Sequence, residues 1–352
     1  MHFEVFSLKD SSKWKAALKS FPNNLTDIYF YPEYYMSWQE CDFGEPLCVY
    51  AKIGHVEVLY PFLKKEISEY RLDDHYFDIS SAYGYGGAIT SNSDSDKEKH
   101  IFSDLISDWC GEQKVIAEFI REYPGATFRL IDKTKRSIVR YNLWVDTSID
   151  KEDIWNALPG KALRNVRYAQ KNGLTVNIDE DLKTIDTFYK LYCETAIDRH
   201  FEPFYHFSES YFQGIKKFLF GKTVIINAVE QSHIIASVLC FHSGNKFTYH
   251  LGASLPQKRH LRPNDLLYWA MIQESNKRGY EWLNLGGGMS TNRSDSLFLF
   301  KKKYGKCEIP IYIETCVHNE LVYGEVCRIW ELQNPQLQAK KGNYFLKYRE
   351  HN

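Results

Sequence analysis

The spacing of apolar residues along the chain changes period repeatedly, and each change predicts an element. Trp14 to Leu18 is apolar at helical spacing, and Tyr31-Pro32-Glu33 opens a second helical piece with proline in its first turn. Residues 1–40 therefore read as two helical pieces around a loop. Leu47–Ala51 and Val56–Leu63 alternate as strands across a turn at Gly54. The segment beginning at Asp78 contains Tyr83-Gly84-Tyr85-Gly86-Gly87, where glycines permit unusual backbone angles. It reads either as a glycine-bulged strand with packing tyrosines or as a surface that offers aromatic faces. A polar, acidic loop from Ser91 to Lys99 leads into a helix at about 97–111. A shorter helix is expected at 113–122, and Thr127–Ile131 and Ser137–Val145 are strand-like. These elements make a first αβ domain, residues 1–148.

A second domain, 149–352, opens with a basic helix at about 153–172. Lys161, Arg164, Tyr168 and Lys171 share a stripe, with Arg167 beside it and Gly173 as a C-terminal cap. Such a stripe either binds phosphates or is a solvated face. Strands follow at Leu174–Ile178, Lys222–Val229, Ile234–Phe241 and Lys246–Ala253, with helices at 181–198 and 208–220. A helix is expected from Pro263 to Arg278, capped by Gly279. Glu281–Gly305 then reads as a buried strand, the triplet Gly286-Gly287-Gly288, a polar loop, and a short aromatic helix ending in Lys301-Lys302-Lys303. A strand at Cys307–Thr315 and a C-terminal helix complete the chain.

Composition narrows the class. The 352 residues are 44% hydrophobic and 25% charged, ordinary for a globular protein, and 25 are tyrosine, a side chain suited to holding polar ligands and equally to an aromatic-rich core. A formal net charge of −1 provides no global attraction to DNA or to a membrane, so any basic site is local. No run of about 18 apolar residues is present, and the start lacks a signal-peptide core. Membrane contact is expected to be peripheral at most. The eight cysteines show neither paired nor zinc spacing and read as reduced thiols of a cytoplasmic protein. The twelve histidines form no metal-binding pattern, so no metal is expected.

The order of segments resembles the GNAT acyltransferase fold, and in detail its FemABX-like branch of tandem GNAT-like domains. The resemblance rests on YGYGG, the KALRNVRYAQKNGL helix, Tyr249-His250-Leu251-Gly252-Ala253, Arg262-Pro263-Asn264, Leu285 with the glycine triplet, Ser296–Gly305 (SLFLFKKKYG), and the C-terminal NYFLKYRE. It spans about residues 30–350. It implies an α/β (mixed α+β) fold in which each of two domains holds a mixed, mostly antiparallel sheet flanked by helices, with the acceptor side first and the donor side second. The implied activity is transfer of an acyl or aminoacyl group to an amine of a cell-wall or surface-polysaccharide precursor. The donor is aminoacyl-tRNA or acyl-CoA, with no permanently bound cofactor. The acceptor is a small-molecule or lipid-linked envelope precursor, and tRNA is a possible partner. The competing readings are an acyl-CoA-dependent N-acyltransferase of a nucleotide sugar and a catalytically silent GNAT module.

The resemblance also implies roles for residues. Lys301, four residues before Gly305, stands where ordinary GNAT enzymes carry the tyrosine that serves the leaving group, and Phe300 shapes the donor pocket. Lys302 and Lys303 read as the solvated end of the helix. Arg262, Asn264, Gly286, Gly287 and Gly288 are donor-side candidates. Gln257–Asn264 lacks the glycines of the usual pyrophosphate loop, which argues against standard acetyl-CoA binding. Tyr83, Tyr85, Arg164 and Arg167 are acceptor-side candidates, joined by Arg199, Tyr249 and His250. Asp78, Glu194 and His250 are considered as the general base.

Overall fold

The computed structural model describes residues 1–38, 41, 43–91, 96–124 and 135–350. Its strands are β1 (His2–Ser7), β2 (Glu45–Ile53), β3 (Val56–Glu66), β4 (Phe77–Ser80), β5 (Ile89–Thr90), β6 (Val115–Arg121), β7 (Lys135–Asp146), β8 (Thr175–Asp179), β9 (Thr223–Glu230), β10 (His233–Ser243), β11 (Lys246–Ser254), β12 (Trp282–Gly287) and β13 (Cys307–Val317). The expected strand at 127–131 lies outside the described residues.

The chain divides into two compact units. One comprises Met1–Pro22, Asp42–Ile138 and Ile311–Asn352, the other Asn23–Cys41 and Val139–Pro310. A single division at residue 148 therefore differs from the observed partition. The reason is strand pairing. Trp144–Asp146 of β7 pair antiparallel with Trp282–Asn284 of β12, so the end of the first half belongs to the second unit. Residues Ile313–Val317 of β13 pair with Ala117–Arg121 of β6, so the C-terminal segment returns to the first unit.

In the first unit the strand order is β1-β2-β3-β4-β6-β13, with β5 also on β3. Every pairing described is antiparallel except β4 with β6. The helix Asp96–Glu112 packs on this sheet through Phe102, Ile106 and Trp109. A second core gathers Trp330, Val326 and Tyr348 of the C-terminal segment around Ile116. Two expectations change here. Residues 115–121, expected as helix, form β6: Val-Ile-Ala-Glu-Phe-Ile-Arg is buried on both faces, which hides the alternation of a strand. Residues 2–7, in a stretch expected to hold two helical pieces around a loop and no strand, form β1 through register with β2.

In the second unit the order is β7-β12-β11-β10-β9-β8. The sheet is antiparallel apart from β11 with β12. The helix Pro263–Lys277 is buried nearly all round and lies against β9 to β12, as a core helix does. The helix Ile185–Asp198 packs against β10 and β11. The expected basic helix at 153–172 is two helices, Lys151–Asn156 and Gly160–Lys171, because Pro159 lacks the N–H for a helical hydrogen bond and stands with ψ 142° as the N-cap of the second. Gly173 and Gly279 take φ of +81° and +75° and cap their helices as expected.

Candidate functional site

The parallel strands β11 and β12 stay together for three pairs only: Lys246 with Trp282, Phe247 with Leu283 and Thr248 with Asn284. Beyond these pairs a bulge interrupts each strand's antiparallel partnership. On β11, His250 is the extra residue between Tyr249 and Leu251 opposite β10. On β12, the register against β7 slips between Asn284 and Gly287. A bulge bends its strand and strengthens its twist, so the two carry β11 and β12 apart. Gly286 takes φ +68° within the slip, a conformation suited to glycine, and its N–H donates to Asn284 Oδ1 at 2.8 Å.

Lys301 reaches into this divergence. Its helix, Ser296–Lys302, is started by Asp295, whose carboxylate accepts from the Phe298 N–H at 2.8 Å. Lys301 is only 4% exposed. Its Nζ donates to the Gly287 carbonyl at 2.9 Å and lies 4.8 Å from the centre of the Tyr249 ring. A Cβ on Gly286 would stand 3.2 Å from that Nζ, so the glycine makes room for the amine. Burial, aided by the nearby Arg140 charge and opposed by Asp295, pulls the Lys301 pKa down from 10.5 to about 7. The amine is thus able to hold or release a proton near neutral pH, which is the property of an acid–base group.

The other two lysines of the run go elsewhere. Lys303 donates to Asp265 at 2.7 Å and Tyr304 donates to the same oxygen at 2.6 Å, with Asn165 at 3.1 Å. Lys302 pairs with Glu308 at 2.8 Å at the surface. Phe300 packs edge-on to Tyr268 at 5.0 Å and against the core of this unit.

The remaining candidates separate. Tyr249 and the glycines Gly286, Gly287 and Gly288 accompany Lys301. A Cβ on Gly287 would meet the Tyr141 carbonyl at 2.6 Å, and one on Gly288 would meet Phe298 at 2.9 Å, so both positions carry tight packing. His250 is placed in the core rather than at a cleft: it is 6% exposed, its Nε2 is 2.6 Å from Tyr211 Oη, and burial pulls its pKa down to about 3. Arg262 lies exposed just before the helix at Pro263, with φ +61°, and so keeps a left-handed turn where the expected glycine is missing. Asn264 is half-buried in the first turn of that helix. Arg259 pairs with Asp198, which also approaches Arg199 at 3.4 Å. Arg164 and Arg167 are exposed on their helix, Arg167 with its guanidinium 5.6 Å from the Trp155 ring. Glu194 is exposed on the surface of its own helix.

In the first unit, Tyr85 is buried against Tyr123, and the Gly86 N–H donates to the Arg121 carbonyl while the Gly86 carbonyl accepts from the Tyr123 N–H. Tyr83 is half-buried. Asp78 is buried and accepts from Arg349 Nε at 2.9 Å, which commits it to that pair. Two groupings here were not visible in sequence because their members are far apart. Glu118 accepts from the Tyr60 hydroxyl and lies 3.0 Å from His318 Nε2, with Cys110 close by. The residues are types that bind metals, yet both carboxylate oxygens already have partners within the protein. Glu122 pairs with Arg136, and the buried Glu314 beside it is held toward its protonated form by burial and by the Glu122 charge.

The acetyltransferase (GNAT) domain family matches residues 160–292. No curated protein matches the chain by sequence. Among solved structures, FemX shares the fold with TM-score 0.70 at 14% identity, covering 92% of this chain and 99% of FemX. L-PGS from Bacillus licheniformis gives 0.54 at 13% identity, over 87% of this chain and 91% of that one. A conserved protein of unknown function from Bacteroides thetaiotaomicron gives 0.54 at 12%, over 89% and 99%. No helix among the described residues is long and apolar enough to cross a membrane.

Proposed function

We propose that this chain is an acyltransferase of the GNAT superfamily, sharing the fold of FemX, and that it forms an amide on an amine of a cell-wall or surface-polysaccharide precursor, with an aminoacyl or acyl group as cargo. The observation that carries this reading is the buried Lys301 amine, titrating near neutrality at the point where β11 and β12 part. In this reading the first unit contributes Tyr83 to the acceptor side, with Tyr85 packed against Tyr123, and the donor residues lie in the second unit. Arg164, Arg167 and Arg199 are exposed cations available to acceptor phosphates, and Arg262 and Asn264 to the donor.

The chemistry follows from the site. The acceptor nitrogen attacks the donor carbonyl carbon, forming the C–N bond and moving the carbonyl electron pair onto oxygen. Collapse breaks the C–O bond of an aminoacyl ester, or the C–S bond of a thioester. One proton leaves the amine and one arrives on the departing oxygen or sulfur. Protonated Lys301 offsets the developing charge and delivers that proton, and it recovers a proton as the amide nitrogen loses its own. Phe300 and Tyr268 keep the neighbouring wall apolar, which strengthens these charges.

The test is turnover of aminoacyl-tRNA and of acyl-CoA by the purified protein, with and without Lys301→Ala. The expected loss is about two orders of magnitude, the scale of removing one oxyanion-stabilising group. Saturable tRNA binding without acyl-CoA binding selects the aminoacyl donor. Acyl-CoA turnover with a nucleotide sugar selects the CoA-dependent alternative. Binding without turnover of either donor selects a silent module, and unchanged turnover in a folded Lys301→Ala protein removes Lys301 from the mechanism.

A further inference from the structure

A second cation stands beside Lys301 without a counter-charge. Arg140 lies on β7, two residues before the buried Asn142, so both point to the same face of the strand. Asn142 donates to Asn284 Oδ1 at 3.2 Å, which places this face of β7 over β12. Arg140 Cδ is 3.1 Å from the position a Cβ on Gly287 would occupy, so the stem crosses β12 at the residue whose carbonyl holds Lys301. Its Nε is buried without a hydrogen-bond partner, and no carboxylate among the described residues pairs with it. Three other half-buried arginines are matched by carboxylates: Arg136 by Glu122, Arg349 by Asp78, Arg278 by Glu180 and Glu274. The Nε is withdrawn from water and left without an acceptor, while the half-buried guanidinium stays open to a ligand that could supply one.

We propose that Arg140 is an anion-binding residue of the Lys301 site, taking a phosphate or carboxylate group of a substrate, and that this anion sets the charge of Lys301. The proposal rests on the reading of Lys301 given above for its catalytic consequence, and not for the binding itself. Four elements face the Lys301 amine. Arg140 comes from β7, Tyr249 from β11, the Gly287 carbonyl from β12 and Asp295 from the start of its own helix. Asp295 is already committed to the backbone of Phe298 and Met289. The free site therefore holds two cations against one engaged carboxylate, which favours neutral Lys301. An anion on the Arg140 fork offsets the repulsion, and Lys301 takes up a proton as substrate binds. The acid form is then assembled only when there is a leaving group to protonate.

The experiment uses the full chain with inorganic pyrophosphate and, separately, acetate. Binding is measured by calorimetry at pH 7 in two buffers of different ionisation enthalpy, and Lys301 is followed by carbon-detected NMR of its Cε. Binding of one anion with uptake of up to about half a proton is expected, since the free amine titrates near 7. The anion that binds identifies the group: pyrophosphate indicates a phosphate ligand and acetate a carboxylate. Arg140→Gln is expected to weaken binding by at least about tenfold, the loss of one charge-assisted pair, and to raise the Lys301 titration in the ligand-free protein. Arg140→Lys retains charge without the fork and is expected to fall between. Should both variants bind the anion as the unmodified protein does, or neither anion bind at millimolar concentration, the proposal is overturned. If Lys301→Ala leaves turnover intact while Arg140→Gln still abolishes anion binding, the anion site stands and the catalytic reading of Lys301 fails.

Discussion

Replacing Lys301 with methionine separates stability from function at a single atom. Methionine fills nearly the same volume without a charge. Lowering the lysine pKa from 10.5 to about 7 corresponds to roughly 5 kcal/mol of differential interaction, of which about 4 kcal/mol opposes folding at pH 7. The lost hydrogen bond leaves the Gly287 carbonyl without its amine donor, which costs about 1–3 kcal/mol. The variant is therefore expected to be more stable by about 1–3 kcal/mol at pH 7, while losing turnover as Lys301→Ala does. The sign with pH follows from proton counting. Between pH 7 and 10.5 the unfolded chain holds a proton at Lys301 that the folded chain has released, so the stability of the unmodified protein gains with rising pH. The advantage of methionine then shrinks toward pH 10. Denaturant unfolding at pH 7, 8 and 9 measures both quantities, compared at equal m-values. A variant destabilised at pH 7, or a difference that stays constant from pH 7 to 9, would show that the amine is not paying a burial cost and would refute the assignment.

Asp265→Ala strips Lys303 and Tyr304 of their shared acceptor and is expected to cost about 3–5 kcal/mol in denaturant unfolding, because a largely buried ammonium loses its only carboxylate among the described residues. Lys302→Ala, at the surface, is expected to change stability by less than about 0.5 kcal/mol in the same assay. Gly286→Ala forces a side chain into a left-handed conformation and against Lys301 Nζ; turnover is expected to fall on the order of tenfold to a hundredfold, with a stability loss of about 1–2 kcal/mol. His250 is expected to remain neutral throughout pH 5–8, seen as an invariant ring signal by NMR, and to contribute no limb to the pH–rate profile.

How far the site was legible depended on whether its signal was local. Lys301 stood out through its spacing from Gly305, but the sequence left it in a run of three lysines ending a helix. Successive helical residues point about 100° apart, so three lysines in a row must meet three environments. Here one enters the strand divergence, one meets solvent and one meets Asp265. His250 misled for a related reason. Strand alternation with Tyr249 assigns the two residues to opposite faces, and the bulge that makes His250 an extra residue cannot be read from composition. The β6 segment was misread because burial on both faces erased its period. The exchange of β7 and β13 between the units was hidden because it depends on pairings more than a hundred residues apart.

Arg140 had no motif around it, only an isolated charge in a strand two residues before a buried asparagine. That is a weak signal in sequence and a strong one in three dimensions, because its significance lies in what is missing beside it. The same logic joins the two cations to the glycines. Gly286 and Gly287 are small where Lys301 and Arg140 approach β12, so the strand carries the space for both charges while the described protein supplies one carboxylate, already engaged as a helix cap. A site built with room for two cations and so little opposing charge is electrostatically complete only with an anion in it.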